Sequence, residues 1–361
     1  MRLRVALVLI CVFFWSQQAL AGRMPYSDLL LFGDSLTDTG NVYLATGGTV
    51  PNPVYYPNLG HYTDAATYGE LMWQALNLPG SLTPSLAGGT NYAVGGARSR
   101  YDSTDMTDLG GFRLPPPVGT PSASNPSAGS FLGQLGFYFT NTGGVADPFA
   151  LYSVLMGGND ARDIATVSAV SGTADALDLL TQSVGDVTGG IVSLIMAGAR
   201  NLLVPTVSNI GLTPEALALD AVSPGTSAAL GAWAQAYNQA LDDALDTALD
   251  AFAGVDDLRL WRTDTFDRLG EVLGDPGRYG LINVTDPCLD GYFVDTLISE
   301  PVTLCPEPST YAFYDNVHPS STIHGILAED FLNAVPAPAP LLLLPAGLVL
   351  IAWRRRGAPT A

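Results

Sequence analysis

The sequence predicts an α/β domain, a three-layer α/β/α sandwich around a mainly parallel sheet of about five strands. Short apolar runs alternate along the chain with longer segments of helical periodicity, and this alternation is typical of a parallel sheet covered on both faces. The apolar runs end in Gly or polar residues, as residues 29–32 do before Gly33, Asp34 and Ser35. The sequence contains no internal repeat with the period of a solenoid protein.

Strands and helices are predicted along most of the chain, and one long loop has a distinctive composition. Strands are predicted from short apolar runs at residues 29–32, 91–94, 151–156, 201–207 and 258–261. Helices are predicted from apolar spacing at residues 67–78, 131–140, 174–199 (with Gly189-Gly190 as a weak point), 226–252, 265–273 and 320–332. Residues 99–130 are rich in Ser, Pro and Gly, which predicts a binding loop or a lid.

Both ends of the chain have the composition of targeting segments. Residues 1–21 carry two Arg, an apolar run and an Ala-Leu-Ala site, which predicts a secretory signal peptide. Residues 334–361 form a Pro-rich spacer, a hydrophobic segment and an Arg cluster, which resembles the PEP-CTERM sorting signal of Gram-negative bacteria. We therefore expect an exported protein, in the periplasm, at the cell surface or outside the cell. Its partners would be the export and sorting machinery, with transient membrane association through the tail. A retained single-pass anchor is the alternative.

Composition and charge exclude several classes of function. The formal net charge is −19 and all 15 basic residues are Arg, so nucleic-acid binding through a basic patch is not expected. Chemistry that needs Lys, such as a Schiff base or a P-loop, is excluded. Cys288 and Cys305 remain after removal of the signal peptide, and a disulfide is the default for such a pair in an oxidising compartment. Too few His and Cys lie nearby for a metal site, and no cofactor is predicted.

The candidates for catalysis are a serine, a histidine and an aspartate. Ser35 follows the first strand, at the sheet edge where α/β folds keep their chemistry, and would lie at a helix N-terminus if the next segment is helical. Only three histidines occur, so candidates for a base of near-neutral pKa are few. Asp315 precedes His318 by three residues and can fold back to orient the imidazole. Acyl transfer requires this set together with oxyanion donors.

Other polar residues receive supporting or alternative roles. Gly96 can offer a backbone N–H and Asn159 a side-chain amide as oxyanion donors. His324 lies within a helical pattern and is expected to pack or cap, whereas His61 is a candidate for the substrate edge. The pentapeptide G-x-S-x-G does not occur, which disfavours an ordinary α/β-hydrolase. A single Asp-Thr-Gly disfavours an aspartic protease, which needs two carboxylates.

Four blocks, in the same order, resemble the GDSL or SGNH hydrolases. The blocks are residues 32–41, 91–97, 157–160 and 315–319. The resemblance implies a flavodoxin-like fold over residues 22–333 and a serine esterase or lipase. The resemblance also implies that Ser35 is the nucleophile, His318 the base and Asp315 the partner of that base. It further implies an oxyanion hole formed by the backbone N–H groups of Ser35 and Gly96 and the side chain of Asn159.

The resemblance is greatest to a longer secreted subgroup that includes autotransporter esterases and lecithinase-like lipases. His61 stands where that subgroup usually has Arg, which weakens any inference about contacts at the substrate edge. The predicted function is hydrolysis of a small-molecule or lipid acyl ester through an acyl-enzyme. The alternatives are a phospholipase or acyltransferase, or a non-catalytic surface or extracellular-matrix protein on the same fold.

Overall fold

The computed structural model describes residues 26–100, 129–291 and 302–335. The predicted signal peptide, sorting tail and most of the 99–130 loop lie outside the described residues. The elements in chain order are β1 Leu29–Gly33, α1 Asn41–Ala45, α2 Tyr68–Ala75, α3 Phe131–Thr142, β2 Leu151–Leu155, α4 Gly158–Val170, α5 Thr173–Ala197, β3 Asn201–Leu203, α6 Pro214–Val222, α7 Thr226–Asp250, β4 Arg259–Trp261, α8 Thr265–Gly274, β5 Asn283–Pro287, β6 Leu289–Asp290, β7 Thr303–Leu304, β8 Tyr311–Phe313 and α9 Ser321–Ala334.

The central sheet has four parallel strands in the order β1-β2-β3-β4. Residues 91–94 were predicted as a fifth strand and form only an isolated bridge, but they hydrogen-bond along the free edge of β1. The N–H of Tyr92 donates to the Leu31 carbonyl at 2.7 Å and that of Val94 to the Gly33 carbonyl at 3.1 Å. The stretch therefore stands beside β1, opposite β2, and the chain order across the sheet is flavodoxin-like.

Alternate residues of the strands face two separate apolar cores, because side chains of a strand point to opposite faces. Leu30 and Phe32 of β1 belong to one core, which is closed by α3, α4, α5 and α7. Leu29 and Leu31 belong to the other, which is closed by α2, α8 and α9. Helices thus cover both faces of a parallel sheet, and the predicted fold class is confirmed.

Three helices were not predicted from the sequence, and one predicted weak point does not interrupt its helix. The unpredicted helices are α1, α4 and α6. α5 continues through Gly189 and Gly190 as one 25-residue helix, because packing against its neighbours outweighs the low helix propensity of Gly. Among the described residues α5 is also long and apolar enough to cross a membrane, but 56% of that stretch is buried in the core.

A small subdomain at the carboxyl end of the chain leads into the last helix. β5 pairs with β8, and β6 pairs antiparallel with β7 beside a disulfide between Cys288 and Cys305, as predicted. The N–H of Leu289 donates to the Tyr314 carbonyl at 2.6 Å. This hairpin therefore braces the segment that immediately precedes Asp315.

Candidate active site

Ser35 lies in a tight turn at the carboxyl end of β1. The N–H groups of Thr37 and Asp38 both donate to the Asp34 carbonyl, at 3.1 and 3.0 Å, and close a single turn. A Cβ on Gly33 would lie 2.8 Å from the Leu155 carbonyl oxygen, so only glycine allows the strand to end this close to β2. The segment after Ser35 is a turn and not a helix, since α1 starts only at Asn41.

The carboxylate of Asp38 holds this turn against the neighbouring loop. Its Oδ1 accepts the N–H groups of Gly40 and Asn41 at 2.7 and 2.6 Å. Its Oδ2 accepts those of Val42 and Gly95 at 3.2 and 2.9 Å. Asp38 is fully buried and serves the turn and cap role expected of it.

Ser35, His318 and Asp315 form a continuous hydrogen-bonded chain. The Ser35 Oγ lies 2.8 Å from His318 Nε2, and His318 Nδ1 lies 2.7 Å from Asp315 Oδ2. Because an ionised carboxylate only accepts hydrogen bonds, the proton of a neutral His318 is on Nδ1. Nε2 is then left with its lone pair toward the serine hydroxyl, which is the arrangement of a nucleophile with its general base.

The spacing of Asp315 and His318 is explained by the backbone between them. Asp315 Oδ1 accepts the N–H groups of Val317 and His318 at 2.9 and 2.7 Å, which folds the segment into one turn. Burial alone would raise the pKa of Asp315, but the charge of His318 and hydrogen bonds from His318, Tyr56 and Val317 outweigh it and lower this pKa. Asp315 is therefore held as a carboxylate against the imidazole.

Gly96 lies on the loop after residues 91–94, and Asn159 lies in the first turn of α4, which follows β2. Gly96 has φ of 75°, a left-handed conformation that favours glycine, and its carbonyl accepts Arg98 Nη1 at 3.0 Å. Asn159, in the first turn of α4, donates one amide hydrogen to the Ala97 carbonyl at 3.0 Å. Gly158 directly precedes Asn159, and a Cβ on Gly158 would lie only 3.4 Å from Asp34 Oδ2. The start of α4 therefore lies close to the residue before Ser35. The structure thus brings all five predicted site residues to one edge of the sheet.

The other two histidines are tied to the packing around α2. His324 is fully buried and its Nδ1 accepts the N–H of Tyr68 at 3.2 Å, so it caps that helix, as expected for a packing or capping residue. Burial lowers its pKa to about 4. His61 Nε2 lies 3.0 Å from Glu70 Oε2, and its Nδ1 lies 3.2 Å from the Asn58 carbonyl. These contacts give His61 a structural role.

Tyr56 is the site residue that sequence reasoning did not single out. It lies in a Tyr-rich segment, residues 52–62, whose composition indicates at most a border of an acyl pocket. Its hydroxyl donates to Asp315 Oδ2 at 2.6 Å, across 259 residues of chain. No local spacing could have revealed this contact, since the two residues meet only in the folded domain.

Asp34 is a buried carboxyl next to the nucleophile and affects stability through its titration. Its Oδ1 accepts the Leu36 N–H at 3.0 Å. Burial raises its pKa from 3.8 to about 6, and the nearby charge of Asp160 adds to this, while the Leu36 N–H and His318 oppose it. The folded state consequently binds a proton more tightly than the unfolded chain, and the contribution of Asp34 to stability decreases as pH rises from about 4 to about 6.

Asp34→Asn is therefore expected to stabilise the protein more at neutral than at acidic pH. The gain in unfolding free energy over the unmodified chain should be about 1 kcal/mol larger at about pH 7.5 than at about pH 5.5. Urea denaturation at the two pH values measures it. Asp256→Asn, at an exposed acid, is the control and should show no such difference. Equal gains of Asp34→Asn at both pH values would contradict the prediction.

Within the described residues, no group of three or more His, Cys, Asp or Glu side chains is placed to hold a metal ion.

Comparison with known families agrees with this geometry. A family model described as GDSL-like Lipase/Acylhydrolase matches residues 29–331, from the first strand to the last helix. The chain belongs to this GDSL-like family. The match includes Ser35, Gly96, Asn159, Asp315 and His318, so the whole candidate site lies within the GDSL-like domain.

Individual relatives of the GDSL-like chain cover most of it. A protein of Pseudomonas putida, described as an uncharacterized protein in the trpE-trpG intergenic region, is 28% identical over 346 residues, which are 91% of this chain and 52% of that protein. Esterase EstA of Pseudomonas aeruginosa is 26% identical over 349 residues, 90% of this chain and 49% of EstA. The chain spans about half the length of these two relatives. The acetylxylan esterase Axe2 from Geobacillus stearothermophilus aligns with a TM-score of 0.40 and 15% identity, covering 86% of this chain and 94% of Axe2.

Proposed function

We propose that this protein is a serine hydrolase that cleaves carboxylic esters through an acyl-enzyme intermediate. The observation that carries the proposal is the pair of distances joining Ser35 Oγ to His318 Nε2 (2.8 Å) and His318 Nδ1 to Asp315 Oδ2 (2.7 Å). Membership of the GDSL-like lipase/acylhydrolase family supports it. So does the similarity to a protein named as an esterase.

The reaction proceeds in two acyl-transfer steps. Ser35 Oγ attacks the ester carbonyl carbon while its proton passes to His318 Nε2, and a tetrahedral oxyanion forms. The intermediate breaks down when the alkoxide leaves with the proton from Nε2, which gives the acylated serine and the alcohol. Water then repeats the sequence, with His318 as its base, and releases the acid. Asp315 keeps Nδ1 protonated and stabilises the imidazolium that forms in each step.

The oxyanion is assigned to three donors: the backbone N–H groups of Ser35 and Gly96 and the amide of Asn159. The Ser35 donor is part of the turn that carries the nucleophile. The other two are held by contacts on neighbouring loops, Gly96 through Arg98 and Asn159 through the Ala97 carbonyl. Donors fixed before the reaction need no reorganisation when charge develops on the carbonyl oxygen, which is why they lower the barrier.

Asn159→Ala is expected to lower kcat by about 100- to 1,000-fold with little change in KM, as for other single oxyanion donors. Steady-state kinetics on a short-chain p-nitrophenyl ester measures this. Asn141→Ala removes an amide that contacts Tyr92 at the far end of α3 and serves as control, with kcat unchanged. A kcat of Asn159→Ala close to that of the control would remove Asn159 from the oxyanion hole.

The decisive test of the function uses the full chain. The purified protein should hydrolyse p-nitrophenyl acetate or butyrate, and a fluorophosphonate probe should label it at Ser35, as peptide mapping would show. Absence of both turnover and labelling would overturn the proposal and favour a non-catalytic protein on the same fold. A panel of esters that differ in chain length and head group, including triglycerides, phospholipids and acetylated polysaccharide, then identifies the substrate class.

We also propose that the protein is exported and belongs to the longer secreted subgroup of its family. The support is the sequence of residues 1–21, the PEP-CTERM-like tail at 334–361, and a disulfide that suits an oxidising compartment. Mass spectrometry of both termini of the mature protein tests it. Retention of residues 1–21 would contradict export by a cleaved signal peptide, and retention of the hydrophobic segment would favour a membrane anchor.

A further inference from the structure

A buried tyrosine hydroxyl contacts the carboxylate of the candidate triad. Tyr56 and Asp315 are 0% and 1% exposed. The Tyr56 hydroxyl donates to Asp315 Oδ2 at 2.6 Å. This is the same oxygen that faces His318 Nδ1 at 2.7 Å. Tyr56 therefore shares the acceptor with the imidazole.

With this hydroxyl, the Asp315 carboxylate has four hydrogen-bond donors. Two backbone N–H groups, of Val317 and His318, donate to Oδ1. The other two donors, Tyr56 and the His318 ring, reach Oδ2. A carboxylate offers about four lone-pair positions, so the set is complete, and rotation of the carboxylate about χ2 would break several charge-assisted bonds at once.

Tyr56 is itself fixed by a cluster of aromatic rings, the tyrosine cluster, made of Tyr56, Tyr62 and Tyr314. Its ring packs edge-on against Tyr314 at 5.3 Å and against Tyr62 at 6.3 Å between centroids. Tyr62 lies in turn against the His318 ring at 5.1 Å. Cys288 packs into the same apolar group, so the disulfide-bonded hairpin supports the tyrosine that contacts Asp315.

We propose that Tyr56 is a positioning residue: its hydroxyl fixes the orientation of Asp315, disperses its charge, and thereby sets the pH at which His318 becomes available as a base. The inference rests on the proposed esterase function. In this assignment Tyr56 acts through Asp315, whose Oδ2 accepts its hydroxyl.

The direction of the pH effect follows from electrostatics. A carboxylate that accepts a hydrogen bond presents less negative charge to the imidazole, and removal of the donor strengthens its attraction for the imidazolium. His318 would then hold its proton to higher pH. Other titratable groups near the pair are Asp34 after β1, Tyr62 and Asp64 before α2, Tyr314, and His324 on α9. All of these remain in place when only the Tyr56 hydroxyl is removed.

The test compares Tyr56→Phe with Tyr314→Phe in the full chain. Both variants delete one buried hydroxyl of the tyrosine cluster, but that of Tyr314 donates to the Tyr55 carbonyl and leaves Asp315 untouched. The acidic limb of kcat/KM for a p-nitrophenyl ester should move up by about 0.5 to 1 pH unit in Tyr56→Phe. Its plateau kcat should fall by about tenfold, with KM little changed. Tyr314→Phe should keep the acidic limb of the unmodified protein.

A profile of Tyr56→Phe that superimposes on that of Tyr314→Phe would overturn the inference. Failure of the proposed function looks different, because the unmodified protein would then show neither turnover nor fluorophosphonate labelling at Ser35.

A double variant tests the route through Asp315. In Asp315→Asn the carboxylate charge is absent, so the added Tyr56→Phe change should leave the residual rate of fluorophosphonate labelling unchanged within about twofold. A further loss of tenfold in the folded double variant would show that Tyr56 acts by another route, and would also overturn the inference.

Discussion

Ser35→Ala is expected to lower kcat for ester hydrolysis by a factor on the order of a million, the largest effect of any single change in this protein. The reason is that the Oγ, 2.8 Å from His318 Nε2, is the atom that forms the acyl-enzyme bond in the proposed reaction. The variant should fold normally, because the side chain is only partly buried and removal of one hydroxyl leaves the turn closed by backbone bonds to the Asp34 carbonyl. Steady-state kinetics and probe labelling measure the loss.

Ser27→Ala is the matched control for Ser35→Ala. Ser27 flanks β1 at its opposite end, where its hydroxyl donates to Asp147 at 2.7 Å on the surface. Turnover and labelling should be unchanged in this variant. If Ser35→Ala retained more than about one per cent of the turnover, attack by Ser35 would be ruled out, since the nucleophile of a triad cannot be lost at so small a cost.

Asp315→Asn is expected to lower kcat by about ten-thousand-fold while the fold is kept. An amide at this position still accepts the N–H groups of Val317 and His318 through its oxygen. Its nitrogen, however, would donate toward His318 Nδ1, which favours the tautomer with the proton on Nε2. That tautomer cannot accept the proton of Ser35. The general base is therefore lost, although Asn is nearly isosteric with Asp.

The readouts for Asp315→Asn are kcat and thermal unfolding measured on the same preparation. Asp330→Asn is the control, because Asp330 is another acid near the end of the chain, but it pairs with Arg268 at 2.7 Å on the outside of α9. It should retain full activity. Full activity of Asp315→Asn would remove Asp315 from the triad. If the variant did not fold, the pH profile of the unmodified protein would have to decide whether Asp315 belongs to the triad.

Much of the fold was predictable because its strands and longer helices carry strong periodic signals. β1 is a continuous apolar run that ends at Gly33, and β2 is apolar except for Ser153 and is followed closely by Gly157, as is typical of buried parallel strands. The helices that were missed lack such signals. α4 begins after Gly157 with no side-chain cap and mixes Thr, Val and Ser with acids. α6 did have a readable start, since Thr213 is its N-cap and Pro214 its first residue.

The site was predictable where its chemistry is local in sequence and unpredictable where it is not. Asp315 and His318 are three residues apart, and the turn that joins them explains this spacing. The contact of Tyr56 with Asp315 depends on how a Tyr-rich loop packs on a distant hairpin, which no pattern of residue types reports. The residue types after Ser35 also left open whether a helix follows; the chain forms a turn there, and the Asp38 carboxylate accepts the N–H groups of Gly40, Asn41 and Val42 at the start of α1.

The separation of Ser35 from His318, 283 residues along the chain, has a consequence for the order of biosynthesis. During synthesis Ser35 leaves the ribosome well before His318, the base assigned to it in the proposed reaction. An incomplete chain therefore contains the reactive serine without the group that activates it. In the proposed reaction, hydrolysis can begin only after the segment that carries Asp315 and His318 has docked beside Ser35, so a late step of folding also completes the site.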